Sequence, residues 1–296
     1  MRAKGDRAAL VAIGALALVW GYNWVAIKVT TADASPFALA AIRIVLGALA
    51  LFAVAAALRR PLASPPVLAT ATVGLFQIAL MIALQTLALA TGGAGKTTVL
   101  VYTFPFFIVL LSALFLGERL TRARVLAVLL AAAGLACVLF PLDFGHGNLS
   151  KIFALASALA WAVGAVLTKR FRARHDVDLL VFSAWQMAYG AVPVVLVALL
   201  VPGAFVHVTP GFLLALAYVV LAGTALAFWL WFFIIERLSA STAGISSLLV
   251  PVVSVIAAWL QLGERPGTAE LIGMVLIVGA LTVNSVPARR PAGAVS

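Results

Sequence analysis

The sequence predicts an all-α integral membrane protein with ten transmembrane helices arranged as two inverted five-helix repeats. Three observations lead there. The 296 residues are 65% hydrophobic and 10% charged, with a mean hydropathy of +1.19, whereas a soluble domain carries roughly a quarter charged residues. The apolar residues lie in long unbroken runs, with the charges gathered between them. Two stretches half a chain apart repeat the pattern Pro-x11-Gly-Glu-Arg. A soluble protein of this composition would expose far more apolar surface than water tolerates, so lipid is its solvent. The runs are continuous rather than alternating, which excludes a transmembrane β-barrel.

A helix needs about 20 apolar residues to span the hydrocarbon core. Residues 8–27 carry no formal charge and form the first such helix. The basic start Arg2, Lys4, Arg7 followed by this run resembles a signal peptide. The run continues through Val19-Trp20-Gly21-Tyr22-Asn23-Trp24 without a small-residue cleavage site, so it reads as a permanent helix. Ser35-Pro36 offers an N-cap and a proline at N1 to helix 2, which runs to about Leu58 and stops at Arg59-Arg60-Pro61. Helix 3 spans about Pro66 to Ala90, helix 4 Lys96 to Leu116, and helix 5 Arg124 to Phe140. A polar, Gly-rich loop from Asp143 to Asn148 precedes helix 6, about Ile152 to Thr168. Residues 179–235 hold no formal charge and are too long for one span. Pro202-Gly203 and Thr209-Pro210-Gly211 divide them into helices 7 and 8. Helices 9 and 10 run from about Ala240 to Leu262 and from Thr268 to Val286.

The loops set the orientation. With a cytoplasmic N-terminus, fifteen of the 20 Lys and Arg residues fall inside, among them Arg59, Arg60, Arg122, Arg124, Lys169, Arg170, Arg172 and Arg174. Lys28, Arg43, Lys96, Lys151 and Arg265 fall outside. This bias follows the positive-inside rule and puts both termini in the cytoplasm. The net charge of +11 is spread over these loops rather than gathered on one face with interleaved aromatics, so nucleic acid is excluded as a partner. One cysteine, Cys137, lies in an apolar run, and His146, His175 and His207 lie in or near loops. No disulfide, metal site or cofactor is expected. The expected partners are the bilayer and a small-molecule substrate, with a monomer as the default assembly.

The repeat sharpens the architecture. Pro105 is followed twelve residues later by Gly117-Glu118-Arg119, and Pro251 twelve residues later by Gly263-Glu264-Arg265. Trp20 precedes Lys28 by eight residues, as Trp161 precedes Lys169. The offsets are 146 and 141, which divides the chain into halves at residues 1–145 and 146–296. Five helices per half is an odd number, so the second half enters the membrane in the opposite sense. Such inverted halves suit alternating access, because exchanging their conformations turns an inward-open cavity into an outward-open one.

These residues resemble a known family. Trp20-Gly21-x-Asn23-Trp24, Ala41-x-Arg43, the stretch from Pro105 to Gly117-Glu118-Arg119-Leu120, and Trp185-Gln186 are similar to the EamA-type transporters of the drug/metabolite transporter (DMT) superfamily. The similarity runs from about Leu10 to Val286, and the YddG-like amino-acid exporters are the branch the chain looks most like. The resemblance implies export of amino acids or related metabolites. It also implies a central cavity lined by helices 1, 3, 4, 6, 8 and 9. One feature departs from the repeat: Gly134 and Gly279 are one residue out of register relative to Gly-Glu-Arg, so helix 10 is expected to pack differently.

Candidate site residues are polar or aromatic groups at membrane depth. Trp20 and Trp24 share a helix face with Asn23 beside it, and an asparagine in hydrocarbon must find a partner. Trp161 is the repeat partner of Trp20. Gln77 and Gln85, eight residues apart, lie on about one face of helix 3, and Tyr102 lies in helix 4. The expected substrate site is Trp20, Asn23, Gln77, Gln85, Tyr102 and Trp161, with Pro105 and Pro251 bending helices 4 and 9. Helix packing is the competing role for each. Arg43, about seven residues into helix 2, is a functional residue by default, but its nearness to the outer end favours snorkelling to the interface. Glu118-Arg119 and Glu264-Arg265 read as structural charges at helix ends. Ala90-Thr91-Gly92-Gly93-Ala94-Gly95-Lys96-Thr97 nearly spells a phosphate-binding loop, but a membrane helix precedes it, so it reads as an interhelical turn.

All nine acidic residues fall at helix ends or in loops. Proton-coupled drug antiport calls for an intramembrane carboxylate, so gradient-driven efflux of a neutral or zwitterionic solute is expected. Export of amphipathic drugs or nucleobase-like metabolites is the alternative. No cluster of nucleophile and base exists at membrane depth, which argues against an enzyme.

Overall fold

The computed structural model describes residues 2–117, 120–139, 147–235 and 240–285. Among these residues there is no strand, and one isolated antiparallel bridge joins Ala34 to Val206. With contiguous segments joined, the described helices are α1 Arg2–Thr30, α2 Pro36–Ala57, α3 Val67–Thr91, α4 Ala94–Leu116, α5 Arg122–Leu139, α6 Gly147–Arg172, α7 Leu179–Leu200, α8 residues 210–235, α9 Ala240–Leu262 and α10 Thr268–Ser285. Among the described residues, seven stretches are long and apolar enough to cross a membrane, and Leu249–Leu262 and Thr268–Val283 are shorter apolar helices. The chain is a multi-pass membrane protein, and its surface shows why. Leu68 is 83% and Leu260 78% exposed, while Arg43, Gln85, Thr97, Gln186 and Ser254 are buried. In hydrocarbon, polar side chains turn inward to find partners and leucines face out.

Several ends differ from expectation. α6 is longer than Ile152 to Thr168 by about a turn at each end, because Lys169, Arg170 and Arg172 continue it as favourable charges at a helix C-terminus. Ser35 does occupy the cap position of α2, with Pro36 at N1, but its hydroxyl does not cap the helix. It instead accepts the Phe205 N–H at 3.4 Å. Asp178 is the effective cap, accepting the N–H groups of Leu180 and Val181 at 2.9 and 3.1 Å and starting α7. Glu118-Arg119 and the Asp143–His146 part of the expected loop lie outside the described residues.

The closest helix pairings share one rule. α1 packs on α8 and α9, and α6 packs on α3 and α4. α2 packs on α7 and α8, and α7 on α2 and α3; α4 meets α9, and α5 meets α10. Replacing each helix by the one five places along leaves these pairings unchanged. α5 and α10 approach backbone to backbone: a Cβ on Gly134 would lie 2.7 Å from the Gly273 carbonyl oxygen, and a Cβ on Gly273 2.5 Å from that of Gly134. The close-packing partner of Gly134 is therefore Gly273, while Gly279 meets nothing within 4 Å.

Candidate functional site

Helix irregularities position the candidate residues. Helix α4 breaks at Tyr102 and Thr103, and its second segment starts at Phe104 with Pro105 in the first turn, where a missing N–H costs no bond. α9 runs unbroken through Pro251. Helices α3 and α8 each widen into a π segment, Leu75–Leu80 and Tyr218–Leu226. Such bulges slacken the regular ladder and concentrate at functional sites.

Both π segments receive a small-against-amide contact from the other half. On α6, Gly164 packs directly on Gln77, whose Oε1 accepts the Thr168 hydroxyl at 2.9 Å. On α8, Gly223 packs on Asn23, whose Oδ1 is buried without a hydrogen-bond partner among the described residues. Trp20 joins Asn23 here, donating its indole N–H to the Gly223 carbonyl at 3.2 Å and lying 6.1 Å from the Trp231 ring. Tyr218 of the same segment donates to the Val19 carbonyl at 3.1 Å.

A second group is aromatic. Trp24, Tyr102, Phe104 and Trp161 form a continuous run, with centroid spacings of 6.2, 5.8 and 4.3 Å. The Phe104 and Trp161 rings are parallel within 7°, so α4 and α6 meet through a stack directly beside the break. Tyr102 and Trp161 thus share one surface through Phe104. Gln85 belongs to neither group. Its Oε1 accepts from Arg43 Nη2 at 3.4 Å, while Arg43 Nη1 donates to the Thr86 hydroxyl at 2.9 Å. Arg43 is 8% exposed, so the expected snorkelling does not occur. Two polar groups on α3 hold the guanidinium inside, a partnership that the spacing of residues on α2 could not reveal.

None of the six candidates lines the pocket of about 230 Å³ between the start of α3 and the end of α6. Ala69, Thr72, Val73, Leu167, Phe171, His175 and the two arginines Arg170 and Arg174 form it. Leu167 adjoins Thr168, the partner of Gln77, so this pocket lies next to the first amide contact.

The glycine-rich turn holds an anion, though not a phosphate. The N–H groups of Ala94 and Gly95 at the start of α4 bind the two carboxylate oxygens of Glu264 at 2.8 and 3.0 Å. Free amides and the helix dipole make such a terminus an anion site, and here the anion comes from the chain itself. Lys96 pairs with Glu270, and Lys28 donates to the Leu89 carbonyl at 2.6 Å. Thr98 and Ser254 join α4 to α9 one turn further in, at 2.6 Å.

The EamA-like transporter family model matches twice in tandem, over residues 7–140 and 148–286. The chain belongs to the EamA-like transporter family. The uncharacterized transporter YoaV of Bacillus subtilis is 28% identical over 93% of this chain and 96% of its own length. A probable amino-acid metabolite efflux pump of Salmonella typhimurium is 30% identical over 90% of this chain and 91% of its own. A probable terminal-alkyne amino-acid exporter of Streptantibioticus cattleyicolor is 30% identical over 64% of each chain. Among the solved structures that match is one with a TM-score of 0.67 and 24% identity, over 96% of this chain and 99% of its own, which shares the fold. The EamA family and these relatives are transporters, which points away from catalysis.

Proposed function

We propose that this EamA protein exports amino acids or related small metabolites by alternating access between two inverted five-helix halves, residues 1–145 and 146–296. The observation that carries the reading is the exchange of partners: α1 and α6 each pack on the opposite half, and α2·α7, α4·α9 and α5·α10 join equivalent helices. The tandem family match and the like placement of two π segments support the same division. On this reading ten helices span a bacterial inner membrane with both termini in the cytoplasm, and the Glu264 contact closes the outer end.

Trp20, Asn23, Gln77, Gln85, Tyr102 and Trp161 are the proposed solute contacts. A zwitterion needs a few hydrogen-bonding groups in an otherwise apolar site, and aromatic faces attract its ammonium. Relatives named as amino-acid metabolite efflux pumps favour this solute class over drugs or nucleobases. The test is efflux from proteoliposomes loaded with the twenty amino acids, followed by mass spectrometry. Protein-dependent loss of one or more amino acids supports the proposal. Retention of all of them, with efflux of planar amphipathic compounds, would favour the alternative.

A further inference from the structure

Arg43 has no counter-ion among the described residues. It sits in α2 at 8% exposure, and its Nε is buried without a hydrogen bond. The described acids Asp33, Asp178, Glu264 and Glu270 are engaged elsewhere. Asp178 pairs with Arg60, Glu270 pairs with Lys96, Glu264 caps α4, and Asp33 accepts the Thr209 hydroxyl. A buried guanidinium held only by neutral acceptors is costly and marks a functional position.

The head group is directed at the bundle interior. Gln85 shares a face of α3 with Met81 and Ala88, whose carbonyls accept from Ser157 and Ser150 of α6. One turn along α2, Gly47 packs against Met187 and Thr224 of α7 and α8. The fold does not need a cation here. Gly47 and Gly190 stand 143 residues apart in equivalent helices, and the same offset carries Arg43 onto the neutral, buried Gln186. A position that one half fills with an amide holds a charge in the other.

We propose that Arg43 anchors the carboxylate of the exported solute, a role that rests on the amino-acid export reading above. The guanidinium edge formed by Nε and Nη2 is the one left available. Nη1 is committed to Thr86, Nη2 has only the long 3.4 Å contact to Gln85, and Nε has none. That edge matches a carboxylate with two parallel bonds. The solute carboxylate replaces the Gln85 contact and supplies the missing charge, leaving the ammonium to the aromatic groups.

The experiment compares wild type, Arg43→Lys and Arg43→Gln in proteoliposomes loaded with the twenty amino acids, and then with the primary amide of whichever acid leaves the wild type. Melting temperature in detergent is measured alongside. Arg43→Lys keeps the charge beside Thr86 but loses the fork, so it carries the test even where Arg43→Gln fails to fold. The expected result is selective efflux of the acid over its amide, and a drop of about ten- to a hundredfold in acid efflux for the variants at near-wild-type melting temperature. Wild-type efflux of acid and amide alike, or undiminished acid efflux by Arg43→Lys, overturns the anchor but leaves the export reading standing. If no amino acid leaves wild-type vesicles, the export reading fails and the anchor with it.

Discussion

The Glu264 carboxylate accepts the backbone N–H of Gly95 at 3.0 Å, so the Gly-Glu-Arg motif of one half closes the helix start of the other. Ala94 supplies the second N–H at 2.8 Å. Glu264→Ala removes this cap at a cost of about 1 kcal/mol and is expected to loosen the α4·α9 crossing at that end. In a Cys137→Ser background, Thr98→Cys should then react faster with a membrane-impermeant thiol reagent. Equal labelling rates with and without the Glu264→Ala substitution would show that the contact does not close that end.

The two glycine contacts should respond unequally. A Cβ on Gly164 would lie 2.4 Å from the Cβ of Gln77 and 2.8 Å from its Cα and N, so the helices themselves must move. A Cβ on Gly223 would lie 2.2 Å from Asn23 Oδ1, the movable end of a side chain. Gly164→Ala is expected to destabilise by about 1–3 kcal/mol and Gly223→Ala by less. Asn23→Ala should recover most of the Gly223→Ala loss. Thermal unfolding in detergent gives the order, and an inverted order would contradict the contacts.

Trp161 separates a substrate role from a packing role. Its ring stacks on Phe104 at 4.3 Å beside the α4 break. Trp161→Ala and Tyr102→Ala should lower efflux at least tenfold with melting temperatures near wild type, and Trp161→Phe should retain much of the activity. Variants that melt early but transport fully per folded molecule would mark these rings as packing.

Energy coupling follows from where the acids sit. The described carboxylates Asp6, Asp33, Asp176, Asp178, Glu264 and Glu270 lie near helix ends or in loops. Efflux down a solute gradient should therefore persist with the proton gradient and membrane potential collapsed. Its complete loss under those conditions would point to an obligatory coupled ion.

Topology gives a check that needs no solute. Reporter fusions at Asn148 should lie outside and at Arg172 inside, as a single crossing by α6 requires. The same side for both would undo the division into two halves.

How much of this was legible in the sequence can be read residue by residue. The apolar runs located the helical rods to within a few residues, because a helix in lipid satisfies its own backbone and needs only about 20 apolar residues to span. Pro36, Pro105 and Pro210 each lie in the first turn of a helical segment, a local consequence of a fixed φ and a missing donor. The choice of Gly273 over Gly279 as the partner of Gly134 was not legible, since both sit in an apolar helix and only one faces α5. Arg43 could snorkel or bury, and Thr86 and Gln85 decided it from 43 and 42 residues away. Glu264 found its amides 170 and 169 residues away. Helix position in the sequence is set by the energetics of each segment alone. The direction a buried polar side chain takes depends on which donors and acceptors the other helices bring within about 3 Å, and that is decided only when the helices pack.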